Sequence, residues 1–499
     1  NYTPSGDVIG RTMNVAAFLQ DSWQILPNLT VNAGMRYEEQ RLRNAEHLQG
    51  TIGVGTGQPL GKNAMVLRNM WAPRLGAIYD WTKEGRSKVY GSWGRYYESI
   101  PMNMNDRSFG GEGFMRSTYD PGDETQCGPN VANLGGAPAG AGCLASGATP
   151  ASGDVLSGAG ILVASGIEAQ YLDESILGVE YEVMEDLKVG LSYKNRRLGQ
   201  VLEDLSTDNA DTYVLANPGS WSQEEEDKLR EKIAAEQDPI EAARLTNQLN
   251  QFLGIRQFDA PRRDYNAIEA TIAKRFSRRF SVSSSYTYSR TEGNYQGLFS
   301  SNNGQIDPNI TSLFDLPELM ANRNGYLPQD RPHNFKIDGY YKFDFREAGQ
   351  LTTGVTLRAI SGTPRSATGA HYLYGRNETL VLPAGALGRT DFNGATSVHL
   401  GYERDLGKGM KLLVALDAFN VTAFEFLTGQ GIAAVDNEYT QFRVNPVVGG
   451  SFEDLAFLKE LDPTTGAETG IAARRNRNFG NVRARYAAPA ARLTARLTF

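Results

Sequence analysis

The chain has 499 residues, 40% of them hydrophobic, with a net charge of −7 and a mean hydropathy of −0.41. That length is too great for one ordinary soluble domain, and the mild acidity gives no reason to expect nucleic acid as a partner. No apolar run reaches the roughly 18 residues of a membrane-spanning helix, a test that a β-barrel also passes because only alternate residues of its strands face lipid. Tyr (23), Phe (21) and Gly (54) are frequent, which suits strands and turns better than helices. The chain opens on Asn1-Tyr2-Thr3-Pro4, without an initiator Met or a signal peptide, so an N-terminal part is expected to lie outside it.

From the start, segments of period-2 alternation come in pairs joined by short turns, as strands with one apolar and one polar face do. The first, imperfect in pattern, is expected over 11–23, before a turn at Leu26-Pro27-Asn28. The second sets Leu29, Val31, Ala33, Met35 and Tyr37 against Thr30, Asn32, Gly34, Arg36 and Glu38. The third sets Trp71, Leu75, Ala77, Tyr79 and Trp81 against Arg74, Gly76 and Asp80, and after Lys83-Glu84-Gly85 the fourth turns Val89, Gly91 and Trp93 outward. Further pairs are expected at 170–183 and 187–197, 264–276 and 279–290, 333–345 and 350–360, and 391–403 and 410–421. The twelfth, around Lys411 to Asp417, is apolar on both faces, which leaves its orientation open. The thirteenth ends the chain, with Ala491, Leu493, Ala495, Leu497 and Phe499 opposite Arg492, Thr494, Arg496 and Thr498. A soluble sheet has little use for a terminal Phe, whereas a barrel's closing strand places it in the interfacial girdle. Leu493, Leu497 and Phe499 are therefore read as a barrel-closing signal addressed to the barrel-assembly machinery.

One side of this meander carries turns of a few residues, the other the long connections 41–70, 99–168, 199–262, 291–330, 362–388 and 423–488. Soluble domains rarely hold even one structureless loop beyond ~15 residues. Short periplasmic turns opposite long extracellular loops are the habit of outer-membrane barrels. The fold class expected is all-β, an antiparallel transmembrane β-barrel integral to the outer membrane and in contact with its lipid. Trp23, Trp71, Trp81, Tyr96, Tyr97 and Tyr288 are expected in two interfacial belts, with Arg95 and Asp173 near strand ends. Thirteen is odd and single-chain bacterial barrels have even counts, so at least one preceding strand is expected.

Several stretches are similar to the Oar-like TonB-dependent outer-membrane receptors. They are Phe18-Leu19-Gln20-Asp21-Ser22-Trp23, Asn32-Ala33-Gly34-Met35-Arg36-Tyr37, Asn217-Pro218-Gly219, and Asp264-Tyr265-Asn266-Ala267-Ile268-Glu269. Further on come Ser285-Tyr286-Thr287-Tyr288-Ser289-Arg290, Gly293-Asn294-Tyr295, Asp307-Pro308-Asn309, Asp330-Arg331-Pro332-His333, Ser361-Gly362-Thr363-Pro364 and Phe419-Asn420-Val421. The resemblance implies a barrel of about 22 strands closed by an N-terminal plug, of which residues 1–499 are the C-terminal part. It also implies a TonB partner engaged through N-terminal segments absent here, and transport of a large ligand. The runner-up readings are a structural or adhesive surface barrel and a passive pore.

Cys127 and Cys143 are the two cysteines, and both fall in the connection 99–168. Their spacing fits no common zinc pattern, and a disulfide at an oxidising surface is expected, which alkylation without reductant would test. It would remove ~3 kcal/mol of unfolded-state entropy. Within 199–262, residues 222–252 break the β pattern. Ser222 and Glu225 form a capping box, and Leu229, Ile233, Ile240, Leu245, Leu249 and Phe252 recur at helical spacing. Asp238-Pro239 should split the segment into two helices, an acidic solvated cap on an extracellular loop or, more sharply, a partner-docking surface. His47, His333, His371 and His399 are scattered and no hydrolase, HExxH or phosphate-loop pattern occurs, so no enzyme, metal or cofactor is expected. Asp120 to Glu124 match no EF-hand spacing. The lumen face leans slightly basic through Arg36, Arg74, Lys88, Arg358, Arg492 and Arg496, too little to define a substrate charge.

Overall fold

The computed structural model describes residues 10–53, 58–110, 113–118, 152–157, 162–164, 166–207, 213–220, 222–298, 312–421, 431–462 and 465–499. Cys127, Cys143, Asp120 and Glu124 lie outside the described residues. Thirteen long strands form one sheet. They are β1 (Arg11–Leu26), β2 (Leu29–Arg43), β3 (Asn63–Tyr79), β4 (Ser87–Tyr97), β5 (Tyr171–Met184), β6 (Leu187–Gln200) and β7 (Arg263–Ser277). Then come β8 (Phe280–Gly293), β9 (His333–Asp344), β10 (Gln350–Ile360), β11 (Asn393–Gly407), β12 (Met410–Phe419) and β13 (Ala490–Thr498). Each pairs antiparallel with the next in sequence order, and β1 and β13 form the two edges of an open sheet.

Register carries the apolar set across the sheet on one face. Val89 lies opposite Val179 and Val179 opposite Leu191. Tyr193, Ile268 and Tyr288 form another rung, as do Leu400, Leu416 and Leu493. These side chains are not buried: Leu177 is 60% exposed and Leu493 75%. An apolar surface of this extent facing water would forfeit about 25 cal/mol for each Å². Facing hydrocarbon, it costs nothing. Register also settles β12: Leu412, Val414 and Leu416 align with the apolar face, and Leu413 lies opposite Arg496 on the polar one.

Aromatic pairs gather at both ends of the apolar face. Trp81 and Tyr181 stack at 5.8 Å and Tyr341 meets Phe343 at 4.5 Å on the turn side, while Tyr37–Trp71 at 4.7 Å and Tyr97–Tyr171 at 5.6 Å mark the loop side. Tyr96 departs from the expectation. Consecutive residues of a strand point to opposite faces, so Tyr97 joins the belt and Tyr96 lies on the polar face under the Arg74 guanidinium, 4.8 Å away. Arg95 and Asp173 pair across β4 and β5 at 2.8 and 3.0 Å.

The first long connection is shorter than expected because β2 and β3 run on to Arg43 and back from Asn63. A bulge hides this in the sequence. Glu38 pairs with Met70 but Gln40 with Leu67, so Arg68 and Asn69 together oppose Glu39, with Asn69 at φ 60°. One extra residue exchanges the faces of everything beyond it. Met65 and Leu67 thereby turn inward with Leu42 and become buried.

The buried core lies mostly in the connections. Leu205, Val214, Tyr295, Phe314 and Met320 pack in one cluster, Leu42, Leu67, Met104, Leu202 and Leu215 in a second, and Val381, Leu382, Tyr439 and Leu455 in a third. Three α-helices occur among the described residues: α1 (Met102–Phe109), α2 (Gln223–Ala235) and α3 (Pro239–Ile255). The Ser222 hydroxyl accepts from the Glu225 N–H at 3.4 Å, and Asp238 accepts from the Ile240 N–H at 2.9 Å with Pro239 opening α3. Leu229, Leu249 and Phe252 close the α2–α3 contact, and Lys228–Glu224 and Arg244–Glu241 pairs face solvent.

Leu177, midway between the aromatic belts, tests the inverted polarity. Leu177→Arg should cost ~2–4 kcal/mol and deplete the folded, heat-modifiable species on a gel, whereas Ser92→Arg on the polar face should leave it near wild type. In an ordinary soluble sheet an exposed Leu→Arg change would do little.

Candidate functional site

All six basic residues singled out in the sequence sit on the sheet's polar face, and most have a partner there. Arg36 pairs with Glu38, and Arg358 holds Asp338 through two bonds of 2.7 and 2.8 Å. Arg492 reaches Asp417 at 2.9 Å, and the same carboxylate meets His399 Nδ1 at 2.7 Å. Arg74 and Lys88 instead lie over the rings of Tyr96 and Tyr90, at 4.8 and 4.3 Å. Lys188–Glu180, Lys194–Glu269 and Arg196–Glu174 continue the pattern. Cross-strand pairing thus absorbs most of the basic lean, and what remains is a polar, largely neutralised wall. A hollow of about 390 Å³ opens in it where Ser281, Ser283, Gly354 and Ser397 leave space beside Asp338 and His399.

Several of the motifs that carry the family resemblance are fasteners where strands pass into connections, while Phe18–Trp23 and Asn32–Tyr37 lie within β1 and β2 and Asp307-Pro308-Asn309 lies outside the described residues. Asn217 is 5% exposed and ties three segments: its amide donates to the Glu168 and Val201 carbonyls at 2.9 and 2.7 Å and accepts from the Glu168 N–H at 2.7 Å. Asn294 donates to the Ala260 carbonyl and accepts from the Arg262 N–H at 2.6 Å. Beside it, Gly293 has φ 149°, and a Cβ there would sit 1.8 Å from the Arg262 carbonyl oxygen. Asp330 is fully buried, accepts from the Thr291 N–H at 2.6 Å and pairs with Arg389. Arg331 donates to the Ser361 carbonyl at 2.7 Å, and the Ser361 hydroxyl accepts from the His333 N–H at 3.0 Å. The His333 ring meets the Tyr286 hydroxyl at 2.8 Å, a structural role for this histidine.

Beyond these fasteners the connections enclose a cavity of about 520 Å³, within the roughly 300–1,000 Å³ of small-ligand sites. Glu318, His371 and Tyr372 line one side, Arg443, Asn445, Asp462 and Thr465 the other. His371 beside it holds the Glu318 carboxyl below the usual range, and burial raises the Tyr372 hydroxyl. A buried acidic group lies nearby. Burial, reinforced by Asp204 and Asp315, pushes the Glu203 carboxyl well above the ordinary range, and burial with Asp204 does the same to Asp315. Neither Glu203 oxygen has a hydrogen bond among the described residues. No three acids, histidines or cysteines among the described residues are grouped to hold a metal ion. Sequence reasoning missed this cavity because its lining comes from four separate stretches; the one signal was the aromatic run His371, Tyr372 and Tyr374.

The chain matches the family model for "Outer membrane beta barrel domain" over residues 2–363, and it belongs to that family. It is therefore an integral outer-membrane protein. It is 33% identical to the TonB-dependent transporter Oar of Myxococcus xanthus over 97% of its own length and 42% of the relative's. Solved structures with a similar strand arrangement include the ferripyoverdine receptor of the outer membrane of Pseudomonas aeruginosa, at 11% identity and TM-score 0.43 over 84% of this chain and 36% of that one. Another is the outer membrane transporter YddB from Escherichia coli, at 12% identity and TM-score 0.42 over 82% and 41%. Family membership rests on the sequence matches.

Two substitutions probe the connections. Asp330→Ala leaves the Arg389 charge and the Thr291 N–H unpaired, and should cost ~3–5 kcal/mol, read as faster hydrogen exchange across 289–294 and 330–333. Glu203 has the opposite sign. Its folded pKa lies above the unfolded value of about 4.3, so its contribution is fully present below that pH and lost as pH rises through the folded pKa. Glu203→Gln should therefore slow hydrogen exchange of 198–207 near pH 8, by the equivalent of ~1–3 kcal/mol, and change little near pH 4.

Proposed function

We propose that this chain is the barrel part of a TonB-dependent transporter that moves a large ligand across the outer membrane with inner-membrane energy. The observation that carries the reading is its identity with a TonB-dependent transporter over nearly its whole length. Because the chain spans about two fifths of that relative, the activity belongs to the complete protein. The open edges at β1 and β13 support the same reading, since unpaired backbone groups facing lipid are prohibitive. Further strands, to a total of about 22, would close the sheet, and a lumen of that size needs a plug.

In this reading the six long connections lie outside the cell, with α2 and α3 capping one of them, and the loop cavity takes part in ligand capture. The polar face, with Arg36, Arg74, Lys88, Arg358, Arg492 and Arg496, lines the lumen against the plug. Leu493, Leu497 and Phe499, exposed at the closing edge, are the residues the assembly machinery reads. The full-length protein in a planar bilayer should pass no steady KCl current, and its cellular uptake should require the TonB partner. Steady conductance, or equal uptake with and without TonB, would identify a passive pore instead.

A further inference from the structure

We infer that the loop-side end of β1–β3 binds the phosphate of an outer-leaflet lipid headgroup. Four arginines crowd the lipid-facing side there, within a few rungs of the sheet. Arg11 lies opposite Arg43, Met13 opposite Arg41, and Glu39 opposite Val15 on one side and the bulge with Arg68 on the other. Below them, Tyr37 and Trp71 form the aromatic pair that marks the edge of the hydrocarbon. Arg41 is four residues further out than Tyr37, ~13 Å along the strand, at the depth of lipid headgroups.

Two carboxylates serve these four guanidiniums. Glu39 takes both Arg41 and Arg68, the latter at 3.7 Å, and Glu46 takes Arg11 at 2.6 Å. Among the described residues Arg43 has no carboxylate partner. Its Nη2 donates to the Met13 sulfur, at 3.2 Å, and its Nε is buried without a hydrogen bond among the described residues, which leaves the outer edge of the guanidinium for an anion. Elsewhere on this face the loop-side arginines are matched: Arg95 by Asp173, Arg197 by Asp264 and Arg290 by Glu292. The positive excess is therefore local to β1–β3, and Arg11 and Arg68 remain more than half exposed at their side chains. A guanidinium binds phosphate through paired N–H donors, and Met13 and Val66 beside Arg41, with Val15 beside Glu39, offer apolar contact for acyl chains. The bulge has a part in this, since the extra residue on β3 is what keeps Arg68 beside Glu39 and Arg41.

The inference rests on the orientation proposed above, with the long connections outside. The test uses the full-length protein purified in detergent and native mass spectrometry to count retained lipid. Purified lipopolysaccharide and its enzymatically dephosphorylated form are added in separate arms, with inorganic phosphate as competitor. The wild type should retain the phosphorylated form at least about tenfold better, and Arg41→Gln/Arg43→Gln/Arg68→Gln should abolish that preference while Arg197→Gln keeps it. Equal retention of the two lipids by the wild type, an arm that needs no variant to fold, would overturn the site and assign binding to acyl contact. Displacement by millimolar inorganic phosphate would overturn the lipid as occupant in favour of the free anion. His47→Cys, in the turn between β2 and β3, should react with an impermeant maleimide on intact cells. Labelling without lipid preference overturns the site alone; absence of labelling in a folded protein overturns the orientation and the site with it.

Discussion

Inside a bilayer no water is available to satisfy a peptide group, and every backbone N–H and C=O of a spanning segment must find its partner in the protein. The meander of β1 to β13 meets this by pairing each strand with its neighbour in sequence along nearly its full length. With the backbone satisfied in that way, the side chains divide by parity alone. One face takes Leu, Val, Ile and aromatic residues into lipid, and the other keeps the charged and hydroxyl groups. The sheet then has no core of its own, because its apolar face already has a solvent.

The consequence is that the packed core moves to one end. Tyr295, Phe314, Leu202, Leu205, Leu382 and Tyr439 are buried in the connections rather than between sheet layers. Segments as long as these would otherwise pay a large entropy of ordering with no enclosed interior to offset it. Polar fasteners do the rest. Asn217, Asn294 and Asp330 each tie a strand end to a distant stretch of chain, so the connections are anchored where they leave the sheet. A cavity lined by four such stretches can hold its shape only because their ends are held.

Charge follows the same division. On the polar face nearly every basic residue meets a carboxylate or a ring, as Arg358 meets Asp338 and Arg74 meets Tyr96. That leaves a wall with polarity but little net field, a surface against which another polar body can rest or slide. On the lipid side, charges are confined to the ends of strands and are again mostly paired. The exception is the arginine group around Arg43, where four guanidiniums share two carboxylates among the described residues.

Much of this was legible in the sequence. Period-2 alternation located most of the long strands of the sheet, because side-chain parity along a strand is a local property that pairing does not change, while the two-residue strand Gly325–Tyr326 at its margin left no such pattern. The same held for Asp238-Pro239, whose missing N–H and capping carboxylate split α2 from α3. Legibility failed where geometry is not local. The bulge at Arg68 and Asn69 shifted the parity of β3, so Met65 and Leu67 read as loop although they belong to a strand. Leu412 to Leu416 are apolar throughout, and only register against Tyr402 and Leu493 assigned their faces. The motifs at Asn217, Asn294 and Asp330 could be recognised by resemblance, but their work as fasteners could not, since each bonds to residues tens of positions away. The cavity beside His371 and the arginine surplus on β1–β3 are likewise sums over separate strands and loops. The sequence by itself determined the strands and their two faces, because those depend on neighbours along the chain. Tertiary structure alone decided which charges found partners and where the core lies, because those depend on neighbours in space.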